Sequence, residues 1–196
     1  MSVTYPDMNS LLKDDFSGEF RLEHFEIKPD NYRAIYRDMI PVGTYVVLRQ
    51  SGQVVMSNTP MEKRTNDEFV ENAHGHVLIG GLGIGMVLLA IQDDPEVESI
   101  TVVEKNREVL DIIQPQLKLN SKVRIVHADI FEYEPDMKYN TIWIDIWNTI
   151  DSDVYQDEMV PLMNKYRKHL VSKSSDPRRY INCWAKLNAK YDKPLV

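Results

Sequence analysis

Residues 77–91 constrain the fold more than any other part of the chain, because they join a short apolar run to an apolar helix through four glycines. Residues 77–79 predict a buried strand, the glycines at positions 80, 81, 83 and 85 predict a tight turn, and the apolar residues after them predict a packed helix. Glycine suits such a turn because a Cβ would obstruct the sharp bend and the close approach of a ligand. The segment therefore predicts half of a βαβ unit whose helix N-terminus faces a bound group.

Apolar runs that predict strands alternate with helical patterns over the rest of the chain. Further strands are predicted at residues 100–104, 123–126, 141–146 and 180–184, with amphipathic helices after the second strand and before the fifth. Such alternation implies right-handed crossovers between parallel strands. We therefore expect an α/β fold with a doubly wound parallel sheet of about five strands.

Residues 1–58 have a different pattern from residues 59–196. The first fifteen residues are polar and aperiodic, which predicts a loose tail. Two β-branched runs, at 44–48 and 53–56, flank a short turn that ends at Gly52, so a β-hairpin is expected. Because a hairpin is local and antiparallel, we expect the first segment to form a small N-terminal appendage or lid and the second to form the main domain.

A helix is predicted at the start of the main domain. Thr59 and Glu62 have the spacing of a capping box, and Pro60 suits the first helical position. The helix is expected to end before Gly75, in the position that usually takes a left-handed conformation.

Composition limits the class of protein. The 196 residues carry a formal net charge of −7, which disfavours a general affinity for nucleic acid phosphates. No apolar run approaches the length that spans a bilayer, and the N-terminus lacks a signal-peptide pattern, so we expect a cytoplasmic protein with no membrane partner. Cys183, the only cysteine, is expected to be a buried apolar side chain. No metal site is expected, because His74 and His76 precede a buried strand.

Acidic residues stand at the ends of three successive predicted strands. In such a sheet, ligands bind beyond the carboxyl ends of the strands. Glu104 lies 19 residues after Gly85, a separation at which a carboxylate reaches the hydroxyls of a ribose. Asp129 is placed to accept from an exocyclic amine such as that of adenine. Asp145 ends a buried strand, where an unpartnered carboxylate would be desolvated, and this favours a functional role.

The glycine spacing separates the nucleotide cofactors. A nicotinamide or flavin site requires G-x-G-x-x-G, and from Gly81 the third glycine would fall on Met86. The turn has G-x-G-x-G instead, and the lysine and hydroxyl residue of a phosphate-binding P-loop do not follow it. Together with the acids, the turn favours an adenosyl ligand.

With these residues in order, the chain resembles the class I S-adenosylmethionine-dependent methyltransferases over about residues 77–184. The resemblance implies a Rossmann-like methyltransferase core, with S-adenosylmethionine as cofactor. The cofactor contacts that it implies are Gly81, Leu82, Gly83, Gly85, Glu104, Asp129, Ile130 and Asp145. It also implies catalytic roles for Asp145, which would orient or deprotonate the acceptor, and for Trp147, which would form a wall of the methyl-transfer site.

Two finer resemblances concern the branch of this family. The hairpin and the phrase Val-Leu-Ile-Gly-Gly resemble the spermidine synthase branch, and the fuller phrase at 56–62, 81–85 and 144–147 resembles small uncharacterised methyltransferases of bacteriophages. The implied function is methyl transfer to an unidentified small-molecule or protein acceptor. Two alternatives stay open: an aminopropyltransferase acting on a polyamine, and a non-catalytic adenosyl-binding module.

Three features depart from these families. Ile79 stands where many methyltransferases carry an acid in the first strand. Asp145-Ile-Trp-Asn148 stands where aminopropyltransferases resemble Asp-Ser-Ser-Asp. Only 12 residues follow Trp184, so we expect a fold trimmed at its C-terminal edge. A homodimer, formed by pairing of the hairpin edge with a second copy, stays open as well.

Overall fold

The computed structural model describes residues 3–195, which form two β-sheets and seven short α-helices. The N-terminal sheet contains β1 (Asp15–Ser17), β2 (Phe20–Ile27), β3 (Gly43–Gln50) and β4 (Gln53–Ser57). The second sheet contains β5 (Gly75–Gly80), β6 (Val97–Glu104), β7 (Val123–His127), β8 (Thr141–Ile144) and β9 (Tyr180–Cys183). The helices are α1 (Met8–Leu11), α2 (Pro60–Asn72), α3 (Met86–Ile91), α4 (Arg107–Ile113), α5 (Ser152–Val154), α6 (Val160–Arg167) and α7 (Lys186–Lys190). None of these described helices combines the length and the apolar character that a membrane crossing requires.

The second sheet is parallel and has the strand order β7-β6-β5-β8-β9. β5 lies at its centre, the next two strands of the chain extend the sheet to one side, and the last two extend it to the other. The predicted α/β fold with about five parallel strands is therefore confirmed. The strand order reverses between β5 and β8, and a crevice forms at such a point beyond the carboxyl ends of the strands.

Helices cover both faces of the parallel sheet, because successive side chains of each strand point to opposite faces. Val77 and Ile79 of β5 belong to a core cluster with α3 and α4, whereas Leu78 belongs to a second cluster with α6. Trp143 of β8 lies in the first cluster and stacks on Phe69 of α2, with 5.1 Å between the ring centroids. The sheet is thus doubly wound, as predicted.

The N-terminal sheet is larger than the single hairpin that the sequence predicts. β2 pairs antiparallel with both β1 and β3, so the hairpin of β3 and β4 is half of a four-stranded sheet. The prediction of a loose tail is wrong for residues 3–15. Met8 and Leu12, four positions apart, are buried in the same core cluster as Ile79, and Asp7 caps α1. This apolar pair fastens the N-terminal segment to the domain.

The predicted helix α2 begins at Pro60, but the predicted capping box is wrong. The Thr59 side chain does not cap the helix and instead shares a hydrogen bond of 3.0 Å with the hydroxyl of Ser57. Glu62 is buried, and the backbone N–H of Thr59 donates to the hydroxyl of Ser57 at 3.4 Å instead of to the Glu62 carboxyl group.

The long helix predicted from about Asp153 is interrupted. A π-helical turn, Tyr155–Met159, separates α5 from α6 and precedes Pro161. Proline has no N–H for the carbonyl group four residues earlier, so the wider turn lies where the α-helical hydrogen bonding is broken.

Candidate functional site

A cleft of about 240 Å³ opens beyond the carboxyl ends of β5, β6 and β8, where the strand order reverses. One wall comes from the parallel sheet and the loops after its strands, and the opposite wall comes from β2, β3 and β4. The residues predicted from the sequence that line this cleft are Gly81, Gly83, Glu104, Ile130, Asp145 and Trp147. The structure therefore brings these six residues together at one cavity.

The glycine turn is shaped by close contacts within the protein. Gly81 has a φ of +95°, and a Cβ there would overlap the carbonyl oxygen of Asp145. Gly83 has a φ of +52°, and a Cβ there would overlap the Sδ of Met56. β4 thus packs on the turn through Met56, and the two sheets meet at the predicted cofactor site.

Glu104, at the end of β6, is tied to the glycine turn. Its Oε2 accepts from the backbone N–H of Leu82 at 2.9 Å, and its Oε1 accepts from the backbone and side-chain amides of Asn106 at 2.7 and 3.1 Å. A carboxylate offers about four acceptor positions, so one is left on Oε2 for a ligand hydroxyl. Leu82 and Gly85 both lie outside the cleft lining: the Leu82 N–H donates to Glu104, and Gly85 precedes α3.

Asp129 lies outside the cleft lining. Its Oδ2 pairs with the Nζ of Lys105 at 2.8 Å, and its Oδ1 accepts from the backbone N–H of Phe131 at 2.9 Å. Ile130 and Phe131, the next two residues, do line the cleft, and Phe131 is 41% exposed. The contact of Asp129 with an adenine amine stays a prediction.

Asp145 follows β8 and is a partly buried residue that lines the cleft. Burial raises the pKa of Asp145 to about 7. Burial, and then the charge of Asp145, raise the pKa of Glu62 in α2 to about 8. The sequence does not single out Glu62 for this role, because its spacing from Thr59 matches a capping box. The two carboxyl groups hold protons near neutral pH, where Asp145 can exchange one with a substrate.

We expect Asp145→Asn to gain stability relative to the wild type as the pH rises from about 4 to about 7. Unfolded Asp145 ionises near pH 4, whereas the folded group holds its proton to about pH 7. Its contribution to stability is therefore present below about pH 4 and is lost as the pH rises through its folded pKa. Asparagine does not ionise. Urea unfolding should therefore show that the free energy of unfolding of Asp145→Asn, relative to that of the wild type, rises by about 2–4 kcal/mol over this pH range.

The matched control for this variant is Asp153→Asn, at an exposed position outside the cleft. Its stability relative to the wild type should change little over the same pH range. A difference between Asp145→Asn and the wild type that is constant with pH would contradict the raised pKa of Asp145.

Trp147 borders the cleft with an indole that is 7% exposed. Its Nε1 donates to Oε2 of Glu158 at 2.7 Å. Glu158 lies in the π-helical turn and lines the cleft as well. The sequence does not single out Glu158, because helical periodicity marks the apolar positions of that segment and not the charged ones.

The N-terminal sheet forms one wall of the cleft, whereas the sequence predicts only a small appendage or lid. Its lining residues are Phe20, Leu48, Gln50, Val55 and Met56. Alternation of apolar residues predicts strands, but it does not tell which strand face meets the cleft.

Known proteins share this architecture. No protein-family model matches the sequence. The chain is similar to the solved structure of a spermidine synthase from Thermotoga maritima, at 18% identity and a TM-score of 0.50, over 81% of this chain and 53% of that chain. It is also similar to a spermidine synthase in complex with the transition-state analogue AdoDATO, at 19% identity and a TM-score of 0.49, over 81% and 52%. A third likeness is to the N-methyltransferase NodS from Bradyrhizobium japonicum WM9, at 15% identity and a TM-score of 0.44, over 58% and 65%.

The chain has a Rossmann-like fold that it shares with the spermidine synthase from Thermotoga maritima. The predicted resemblance is confirmed at the level of the fold, and the finer likeness to bacteriophage methyltransferases stays a prediction. The chain spans about half the length of the spermidine synthases that it matches.

Proposed function

We propose that the protein transfers a methyl group from S-adenosylmethionine to a small-molecule or protein acceptor. The observation that supports this most is the convergence of Glu104 and Asp145 on one cleft across the glycine turn. Glu104 has an acceptor position left for a ribose hydroxyl, and burial raises the pKa of Asp145 to about 7. One cavity thus offers a site for an adenosyl donor and a proton acceptor for the second substrate.

The residues at the cleft suit the proposed cofactor. Glu104 would hold the ribose, and the apolar side chains of Val109, Ile130 and Phe131 offer a wall to a flat base. Asp129 is proposed to accept from the exocyclic amine of adenine. When bound, S-adenosylmethionine supplies a methyl group that its sulfonium makes electrophilic.

Asp145 and Trp147 are proposed to act on the acceptor side. A carboxyl group with a pKa of about 7 is partly ionised at neutral pH, so Asp145 can orient an N–H or O–H and take up its proton. Trp147 would line the methyl-transfer site and exclude water from it. Holding two reactants in line is itself a large part of such catalysis.

We expect Glu104→Ala to weaken the binding of S-adenosylmethionine by about ten- to a hundredfold. The substitution removes a hydrogen bond to a charged group, which is worth about 1.5–3 kcal/mol. Titration calorimetry on the purified protein measures the affinity. Glu104→Gln keeps the side-chain volume and should also weaken binding, whereas the exposed Glu132→Ala should leave it unchanged. Equal affinities in wild type and Glu104→Ala would contradict the proposed ribose site.

Aminopropyl transfer to a polyamine is the second candidate, and the charge of the cleft favours it. The lining carboxylates are Glu104, Asp145 and Glu158, and the lining ammonium group of Lys105 is already paired with Asp129. Decarboxylated S-adenosylmethionine lacks the carboxylate that these acids would repel. Tighter binding of the decarboxylated form than of S-adenosylmethionine in calorimetry would favour this candidate over methyl transfer.

A cofactor-binding module without turnover is the third candidate, which the Ile79 departure favours. Tight binding of S-adenosylmethionine, with no methylated product from any cell extract, would support it. A labelled product from an extract would support the first candidate instead.

A further inference from the structure

One polar contact helps to orient the indole of Trp147, which also packs in the second core cluster. The ring is 7% exposed, and Nε1, its only hydrogen-bonding atom, donates to the carboxylate of Glu158 at 2.7 Å. Hydrogen bonds to a carboxylate are stronger than those between neutral groups. The acceptor on Glu158 therefore contributes to the orientation of the ring in the cleft wall.

Glu158 is placed by a well-anchored segment of backbone. It lies in the π-helical turn Tyr155–Met159, whose last residue, Met159, is fully buried in the second core cluster. Such turns are frequent at functional sites, where they alter the direction of a side chain. Both Glu158 and Trp147 line the cleft, so the turn connects the core to the cleft wall.

We propose that Glu158 is a positioning residue that holds the face of the Trp147 indole toward the sulfonium end of a bound cofactor. The inference rests on the proposed function, because it takes S-adenosylmethionine as the ligand. Trp147 and Asp145, the proposed proton acceptor, both line the cleft, so the proposal places the ring beside the methyl-transfer site.

The chemistry of the indole gives this arrangement a measurable consequence. The face of a tryptophan ring attracts a cation. The sulfur of S-adenosylmethionine is positively charged, whereas that of S-adenosylhomocysteine is neutral. A ring held by Glu158 therefore favours the first ligand over the second, and a ring that is released loses this preference.

Titration calorimetry with both ligands tests the proposal. The affinities are measured in Glu158→Ala, Glu158→Gln, Trp147→Phe and the double variant that combines Glu158→Ala with Trp147→Phe. Glu158→Ala should weaken the binding of S-adenosylmethionine about three- to tenfold more than that of S-adenosylhomocysteine. Glu158→Gln keeps an acceptor oxygen and should retain most of the preference. In the Trp147→Phe background, Glu158→Ala should have no further effect, because the donor is already absent.

The second readout does not depend on a ligand. In protein with ¹⁵N-labelled tryptophan, the Nε1–H resonance of Trp147 is assigned by its loss in Trp147→Phe. It should shift in Glu158→Ala and move much less in Glu158→Gln. Asp157→Ala, an exposed position in the same turn, is the matched control and should leave the resonance and both affinities unchanged.

An unchanged Trp147 resonance in Glu158→Ala, equal losses of the two affinities, or additive effects in the double variant would overturn the proposal. If Glu158→Ala fails to fold, the ligand preference of Trp147→Phe and Glu158→Gln decides it: it should fall in the first and persist in the second. Failure of the proposed function would give a different result. The wild type would then bind neither ligand, while the Trp147 resonance would still respond to Glu158→Ala. That result would also overturn the proposal that the ring faces a bound cofactor.

Discussion

Gly81→Ala is expected to destabilise the protein by about 3–5 kcal/mol. Gly81 has a φ of +95°, and a Cβ would overlap the carbonyl oxygen of Asp145. The backbone at Asp145 cannot withdraw easily, because its N–H donates to the carbonyl of Gly80 at 2.8 Å and keeps the chain in register. Urea unfolding of the purified variant measures the loss.

Two other glycines serve as controls for Gly81→Ala. Gly52 has a φ of +84° with open space around it, so Gly52→Ala should cost only the backbone strain, about 1–2 kcal/mol. At Gly83 the obstructing atom is the Sδ of Met56, which belongs to a flexible side chain that can move. Gly83→Ala should therefore fall between the two. A loss for Gly81→Ala no larger than that for Gly52→Ala would contradict the contact with Asp145.

Gly75→Ala, at the amino end of the central strand β5 and away from the cleft, is expected to destabilise the protein by about 3–4 kcal/mol. Gly75 has a φ of +59°, and a Cβ would overlap the side-chain amide of Asn140. That amide is fixed, because its oxygen accepts from the N–H of His76 at 3.0 Å and its nitrogen donates to Asp176 at 2.8 Å. Thermal unfolding should show a lower Tm.

Asn140→Ala separates the two causes of the loss at Gly75. Without the amide, the added methyl group of Gly75→Ala meets only the Cβ of position 140, at 2.9 Å, so the double variant should lose less than the sum of the single variants. Additive losses would indicate that the amide is not responsible. Because Gly75 is remote from the cleft lining, folded Gly75→Ala should keep the ligand affinity of the wild type.

The central unit of the fold follows from local sequence signals. The apolar strand, glycine turn and apolar helix of residues 77–91 agree with one another, and the acids at 104, 129 and 145 mark where the strands end. Such a pattern predicts a parallel sheet, because buried parallel strands have continuous apolar runs. It also predicts where a ligand binds, because ligands bind beyond the carboxyl ends of such strands. The Gly81 turn, β6 and β8 lie where the sequence predicts them.

The remaining parts of the site depend on contacts between distant segments. Glu62 matches a capping box locally, and only its burial beneath the sheet makes it a partner for Asp145. Asp129 follows the strand-end rule, yet its side chain pairs with Lys105 rather than lining the cleft. Glu158 reaches the cleft through a π-helical turn that no periodicity predicts. Local patterns leave such tertiary relations undetermined.

The wall formed by β2, β3 and β4 links the two sheets through anything that occupies the cleft. A ligand that touches Gln50 and Met56 on one side and Glu104 on the other contacts both sheets. Its binding free energy then opposes fluctuations that separate them, since an opened form has lost the contacts to one of the two sheets. Ligand binding should therefore increase the protection of the β3 and β4 amides against hydrogen exchange, although the ligand contacts predicted from the sequence lie in the parallel domain.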